Sequence, residues 1–245
     1  MLKKYLLLPL FGYTAVTAYA QQGIPKILLF SKTNSYQHAS IPDGIAAITK
    51  LGKENGFETD TTTNTAWFTA ETRKKYAALV VLSPTGQLFT PAQKAAFVQY
   101  IHNGGGFAGI HAASTPEKEW TWYGQLVGAV FNGHPPQPVN GAIVVADTAN
   151  AATRHLPKRW LWKDEWYNFR NIAPDIHVLL KADESTYEGG TNGPDHPLAW
   201  YHPFEGGRSF YTALGHLPAA YSDPLFTKHI LAGILYAIGK PPGNK

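Results

Sequence analysis

The sequence predicts an α/β fold, a doubly wound and mostly parallel sheet with helices on both faces. Three observations carry this. The first half alternates short apolar runs with helical spacings, a βαβαβαβ order that favours parallel strands joined by crossover helices. Two of the runs, Ala77 to Leu82 and Phe107 to Ile110, are apolar throughout, as strands buried on both faces are. The glycine triplet Gly104-Gly105-Gly106 stands between a helical stripe (Phe97, Tyr100, Ile101) and the second of these runs, stopping the helix just before the strand.

The elements follow in order. Residues 1–20 carry a basic start at Lys3 and Lys4, an apolar run, and Ala18-Tyr19-Ala20 as a small-x-small cleavage site. This is the pattern of a cleaved secretory signal peptide, which leaves residues 21–245 as one domain, secreted or periplasmic. Lys26 to Phe30 is strand one, followed by a polar loop that ends in Tyr36-Gln37-His38. A helix from Pro42 to about Asn55 ends at Gly56, and Phe57 to Thr62 reads as a polar edge strand. A short helix is expected around Thr69 to Tyr76. Thr90-Pro91 is an N-cap followed by proline at the first helical position. After His111 the spacing predicts a helix over Trp120 to Phe131, a strand over Val139 to Ala146, and a strand-like run from Trp160 to Phe169. Further strands are expected over Ile176 to Lys181, His196 to Tyr201 and Arg208 to Leu214, and a helix from about Pro224 to Ile238 closes the chain.

Composition narrows the function. There is no cysteine, which removes thiol nucleophiles, thiolate metal sites and a lipoprotein anchor. The net charge of +4 includes Lys3 and Lys4, and no basic cluster interleaves with aromatics, so nucleic acid is a poor partner. No segment after the signal has the length of a transmembrane helix. P-loop, dinucleotide-fingerprint and Gly-x-Ser-x-Gly patterns are missing. Ser83 and Ser114 follow strands, but small residues there more simply hold turns. Aromatic residues make up 13% of the chain, and an aromatic-rich cleft suits a small carbohydrate.

Histidine placement is the strongest functional signal. In open α/β sheets ligands bind at the carboxyl ends of the strands. Of ten histidines, His38, His111 and His216 fall at or just after such ends, and His134 follows in a proline-stiffened loop. Glu165 lies among aromatics, where burial without a cation would raise its pKa. His111, Glu165 and His38 are therefore the candidate catalytic groups. His38, His111, His134 and His216 are the candidate ligands of a divalent metal, zinc or similar, although no tight metal motif such as His-Glu-x-x-His occurs. The same side chains could equally run proton transfer without a metal. His134, His216, Trp122, Trp166 and Tyr36 are the candidate substrate contacts. A lone histidine is more often structural, and His102, His155, His177, His202 and His229 are read so; the argument rests on coincidence of placement.

Several segments together resemble the ThuA-like (trehalose-utilisation) family. They are Gly104 to Ala113, Trp122-Tyr123 with Leu126 to Phe131, His134-Pro135, Asp164-Glu165-Trp166-Tyr167, Pro197 to Trp200, and Gly207 to Thr212 with Gly215-His216. The resemblance spans about Lys26 to Gly239. It implies a flavodoxin-like sheet similar to class I glutamine amidotransferases, with His111 at the strand end where those enzymes carry cysteine. Without cysteine, glutamine hydrolysis is excluded. The family usually reads Phe-Arg-His after strand one, whereas this chain has Tyr36-Gln37-His38, so the neighbouring cation is lost. The resemblance implies disaccharide catabolism through 3-keto sugars. The expected function is a carbohydrate-catabolism enzyme using His/Glu acid–base chemistry, with or without a metal. The rivals are a non-catalytic carbohydrate-binding domain and a metal-dependent glycoside or ester hydrolase.

Overall fold

The structure is a computed structural model that describes residues 23–69, 71 and 74–240. The expected signal segment, residues 1–20, lies outside the described residues, as does part of the short helix expected around Thr69 to Tyr76.

Among the described residues nine strands form one sheet in the order β2-β1-β3-β4-β11-β10-β9-β6-β7. They are β1 (Lys26–Phe30), β2 (Glu58–Thr62), β3 (Ala78–Leu82), β4 (Gly106–Ile110), β6 (Val139–Val145), β7 (Arg159–Asp164), β9 (His177–Asp183), β10 (Pro197–Phe204) and β11 (Gly207–Thr212). A two-stranded ribbon pairs β5 (Val130–Phe131) with β8 (Phe169–Arg170). The helices are α1 (Ile41–Asn55), α2 (Pro91–His102), α3 (Thr121–Val127) and α4 (Pro224–Ile238).

The five strands from β2 to β11 run parallel, and β10, β9, β6 and β7 continue the sheet antiparallel. Both faces of the parallel block are covered, as the βαβ pattern requires. Leu82 faces α1, where a Cβ on Gly44 would lie 2.8 Å from its Cδ2. Gly106 faces α4 so closely that a Cβ would lie 1.9 Å from the Ala237 carbonyl oxygen. On the other face the Phe107 ring packs against Phe97 of α2 and Tyr123 of α3, with centroids 6.4 and 6.2 Å away.

The helix ends follow from local chemistry. Thr90 and Gln93 form a reciprocal capping box at α2, and Asp223 accepts the Leu225 and Phe226 amides at α4. Two expectations are corrected. The helix expected over Trp120 to Phe131 stops at Val127, because Gly128 takes a left-handed conformation (φ 96°) and Val130–Phe131 then pairs as β5. The strand expected over Trp160 to Phe169 ends at Asp164, since residues after it leave the sheet to reach β8.

Candidate functional site

His111 is the pivot. It follows β4 with φ 53°, a conformation rare for a residue with a side chain, and the chain turns there into the 3-10 turn His111–Ser114. Its Nδ1 donates to the Ala213 carbonyl at 2.8 Å. In the neutral ring this leaves the Nε2 lone pair pointing inward. The Tyr167 hydroxyl lies 3.1 Å from that nitrogen, His216 Nδ1 3.2 Å and Glu165 Oε2 3.5 Å.

His38, buried in the loop after β1, sets its ring 4.7 Å from that of His111 and 5.4 Å from that of His216, edge-on to both. Its Nδ1 is buried without a hydrogen-bond partner. Ser40 Oγ donates to the Gly215 carbonyl, tying this loop to the one after β11.

Asp164 assembles the other side. Its buried carboxylate accepts the Glu165 and His216 amides on Oδ1, at 2.9 and 3.0 Å. Its Oδ2 accepts the Gly215 amide and Trp162 Nε1, both at 2.9 Å. The backbone positions of Glu165 and His216 are thus held by one residue between them. Glu165 Oε2 then lies 3.2 Å from His216 Nδ1, and Oε1 lies 3.3 Å from His134 Nδ1.

Electrostatics divides these groups. Burial pushes the Glu165 carboxyl up, but hydrogen bonds and charge interactions with His111 and His216 outweigh it and hold the carboxyl well below its usual range. The rise that burial alone would bring does not occur, because the His111 and His216 rings stand beside the carboxylate at 3.5 and 3.2 Å. Burial lowers His216, yet Glu165 more than compensates and raises it above 6.5. Burial first, then the neighbouring imidazoles of His111 and His216, bring His38 down to about 3. At neutral pH the site therefore holds a carboxylate, a neutral imidazole and an imidazole that favours its proton.

His38, Glu165 and His216 line a cleft of about 800 Å³, bounded further by Tyr36, Glu117, Phe131, His134 and Tyr167, while His111 is buried behind them. The structure thus brings His38, His111, Glu165 and His216 together, with His134 and Tyr36 on the walls. Donor atoms of His38, His111, Glu165 and His216 all lie within 4.8 Å of one another and could hold a divalent metal. This close group differs from the expected ligand set at one position: it includes Glu165, while His134 stands outside it with its Nδ1 2.6 Å from the Pro135 carbonyl and 3.3 Å from Glu165 Oε1.

Two expected substrate contacts lie elsewhere. Trp122 donates to Glu205 and stacks on Trp120, near the turn that precedes β11 and so at the opposite end of the strands. Trp166 is buried, stacked on Tyr187 with its Nε1 on the Val139 carbonyl. Chain alternation explains this, since Glu165 and Tyr167 face the cleft and the residue between them turns inward.

Four residues of the site were missed in the sequence. Tyr167 stacks against His111 with centroids 4.5 Å apart, and its hydroxyl pKa is raised well above 10 by burial, so it remains a donor. His196 bridges the Tyr167 carbonyl and the Glu184 carboxylate. Glu117 is buried with φ 55°, accepting the Leu88 and Phe89 amides and pairing with Lys94. Asp164 is the fourth. The spacing Glu165-x-Tyr167 could have revealed Tyr167; Glu117, inside Glu117-Lys118-Glu119, reads as a solvated loop.

Of the serines, Ser114 is buried and paired with the Tyr211 hydroxyl, a structural use. His155, His202 and His229 each bond a backbone carbonyl. No helix among the described residues is long and apolar enough to cross a membrane.

Among solved structures the chain is similar to a protein described as ThuA-like from Bacteroides uniformis, at 25% identity and a TM-score of 0.76. That match covers 94% of this chain and 97% of the other. A second ThuA-like protein, from Parabacteroides merdae, matches at 18% identity and a TM-score of 0.73, covering 91% and 93%. A β-galactosidase from Bacillus circulans shares the fold over 32% of its own length and 90% of this chain, at 15% identity and a TM-score of 0.55. No curated protein matches. The ThuA family, described as trehalose utilisation, matches residues 26–237, and the chain belongs to that family.

Proposed function

We propose that the protein is an exported enzyme of carbohydrate catabolism that moves a proton on a disaccharide-derived keto sugar. The observation that carries this reading is the convergence of His38, Glu165 and His216 on one cleft, with His111 buried directly behind them. Family membership supports the carbohydrate class. A ketone acidifies the hydrogen on the adjacent carbon, so one base and one electrophile suffice for isomerisation or elimination. The groups that favour the two roles are present. Glu165 is ionised and His111 offers a lone pair on Nε2, so either can take the proton. His216, whose pKa Glu165 raises, can donate to the carbonyl oxygen, and the Tyr167 hydroxyl is a second donor nearby. A divalent metal at the same donors is the assisted form of this chemistry.

The test is turnover of a panel of plain and 3-keto disaccharides, followed by mass spectrometry, with wild type, Glu165→Gln and His216→Ala. Loss of acid–base groups should lower turnover of the keto substrate by about 10²–10⁴-fold. Sugar binding that survives each substitution, with no product from any substrate, would instead establish a carbohydrate-binding domain.

A further inference from the structure

We infer that the cluster is a resident metal centre: His38, His111, His216 and Glu165 bind one divalent first-row ion of the zinc class, and His134 is not a ligand. The inference deepens the reading of the same site and rests on that reading only for what the ion does there.

Four observations support it. The donors come from four separate segments, after β1, β4, β7 and β11, yet fall within 4.8 Å of one another. His38 is buried to within 4% of full and its Nδ1 has no partner, an arrangement that costs roughly 1–3 kcal/mol when nothing satisfies it. The cluster also offers a lone pair at its centre. His111 spends its Nδ1 proton on the Ala213 carbonyl, which leaves Nε2 of the neutral ring free of hydrogen and facing His216 Nδ1 at 3.2 Å and Glu165 Oε2 at 3.5 Å. Finally, the outer shell is built as metal sites are. A carbonyl fixes the His111 ring, as ligating imidazoles are usually fixed through their second nitrogen, and Asp164 fixes the backbones of Glu165 and His216.

The donor set indicates the ion. Three imidazoles and one carboxylate, with no thiolate in the chain, suit zinc, cobalt or iron rather than the all-oxygen shells of calcium or magnesium. Closing onto such an ion at about 2.0–2.2 Å draws the most distant donors together. Ligation also settles an assignment that the sugar reading leaves open. With His111 and Glu165 occupied as ligands, the base of the cleft becomes His134, half-exposed on the wall beside Glu165.

The untagged chain, dialysed against chelator, is titrated with Zn²⁺ by calorimetry and with Co²⁺ by visible absorption, with circular dichroism on every variant. Wild type should take up one equivalent and gain melting temperature with Zn²⁺, a readout that needs no variant. His38→Gln and His216→Gln should weaken binding by about 100-fold or more, at or beyond the loss typical of an outer-shell partner. Glu165→Gln should weaken it by about 10–100-fold, and His134→Gln should leave it unchanged. Less than one equivalent bound by wild type at about 100 µM Zn²⁺, no gain in melting temperature, or wild-type affinity in folded His38→Gln would overturn the inference. Metal bound without turnover of any keto sugar removes the proposed reaction and keeps the centre. Turnover by a chain that binds no metal does the reverse.

Discussion

The parallel and antiparallel halves of the sheet contribute to the site in different ways. The parallel half delivers His111 and His216 just beyond the ends of the paired strands β4 and β11, and His38 from the loop after β1, which Ser40 ties to the Gly215 carbonyl. The antiparallel half delivers Glu165 from β7, which is four strands away from β11 in the sheet order. In a flat sheet four spacings of about 4.8 Å would separate them by roughly 19 Å. Asp164 nevertheless accepts the His216 amide at 3.0 Å. The antiparallel half must therefore coil strongly back over the strand ends, and Trp162 packing on Phe226 of α4 shows where it lands. One half positions residues by register and the other by curvature.

Steric tolerance should differ between the halves, and this is the largest effect expected. Gly106→Ala drives a Cβ into the Ala237 backbone carbonyl, which α4 cannot withdraw, so destabilisation should exceed about 3 kcal/mol and leave little folded protein. Gly141→Ala in β6 meets the Trp166 ring at 2.6 Å, a side chain that can shift, and should cost about 1–3 kcal/mol. Urea denaturation of both variants makes the comparison. Equal losses would mean that the two halves are equally rigid.

Asp164→Ala breaks the junction itself. Four donors, three of them backbone amides, lose a buried carboxylate, so a loss of about 2–4 kcal/mol is expected from denaturant unfolding. If curvature alone held β7 in place, the variant would unfold at nearly the wild-type midpoint.

How much of this was legible in the sequence follows the same division. His38, His111 and His216 were readable because a strand end is a local feature: an apolar run, a stop, a histidine. Glu165 was readable as a candidate, but its low pKa was not, since the imidazoles beside it come from segments 54 and 51 residues away in the chain. Asp164 and His196 act through backbone groups of other segments, which no spacing encodes. Trp122 and Trp166 misled because aromatic content shows which residues favour contact but not which side of the chain they occupy. The early end of β7 was hidden for a related reason, since Trp166 and Tyr167 continue its apolar character after it has left the sheet.

Two buried histidines offer a gentler probe, one at the rim of the parallel strands and one on the helix that packs across them. His38 stands on the parallel rim with its pKa lowered to about 3, and His229 on α4, against the carbonyl of Ala152, is lowered to about 4, both chiefly by burial. The unfolded chain takes up these protons near pH 6.5, while the folded chain refuses them until about 3 and 4. Stability of the metal-free chain should therefore fall as pH drops from 6.5 to 4, by up to about 1.4 kcal/mol per pH unit for each histidine. The Glu165–His216 pair bends the curve at its ends. The raised His216 contributes stability that is present below 6.5 and lost as pH rises through its folded pKa. The depressed Glu165 contributes stability that is lost only as pH falls through its own. His229→Gln should flatten the 6.5-to-4 slope by one proton, and an unchanged slope would show that His229 is protonated in the fold.

The smallest effect belongs to the outer edge of the antiparallel half. Leu161 on β7 is 76% exposed and shares its face with Arg159 and Lys163, while Trp160 and Trp162 turn the other way and pack together at 4.4 Å. Its apolar surface already meets water, so Leu161→Thr, which keeps a strand-favouring side chain, should change stability by less than about 0.5 kcal/mol. The edge charges on either side discourage another strand from pairing there. A loss well above that figure would show that this face is covered in solution, and the curvature that brings Glu165 to the histidines would then have a second support outside the chain.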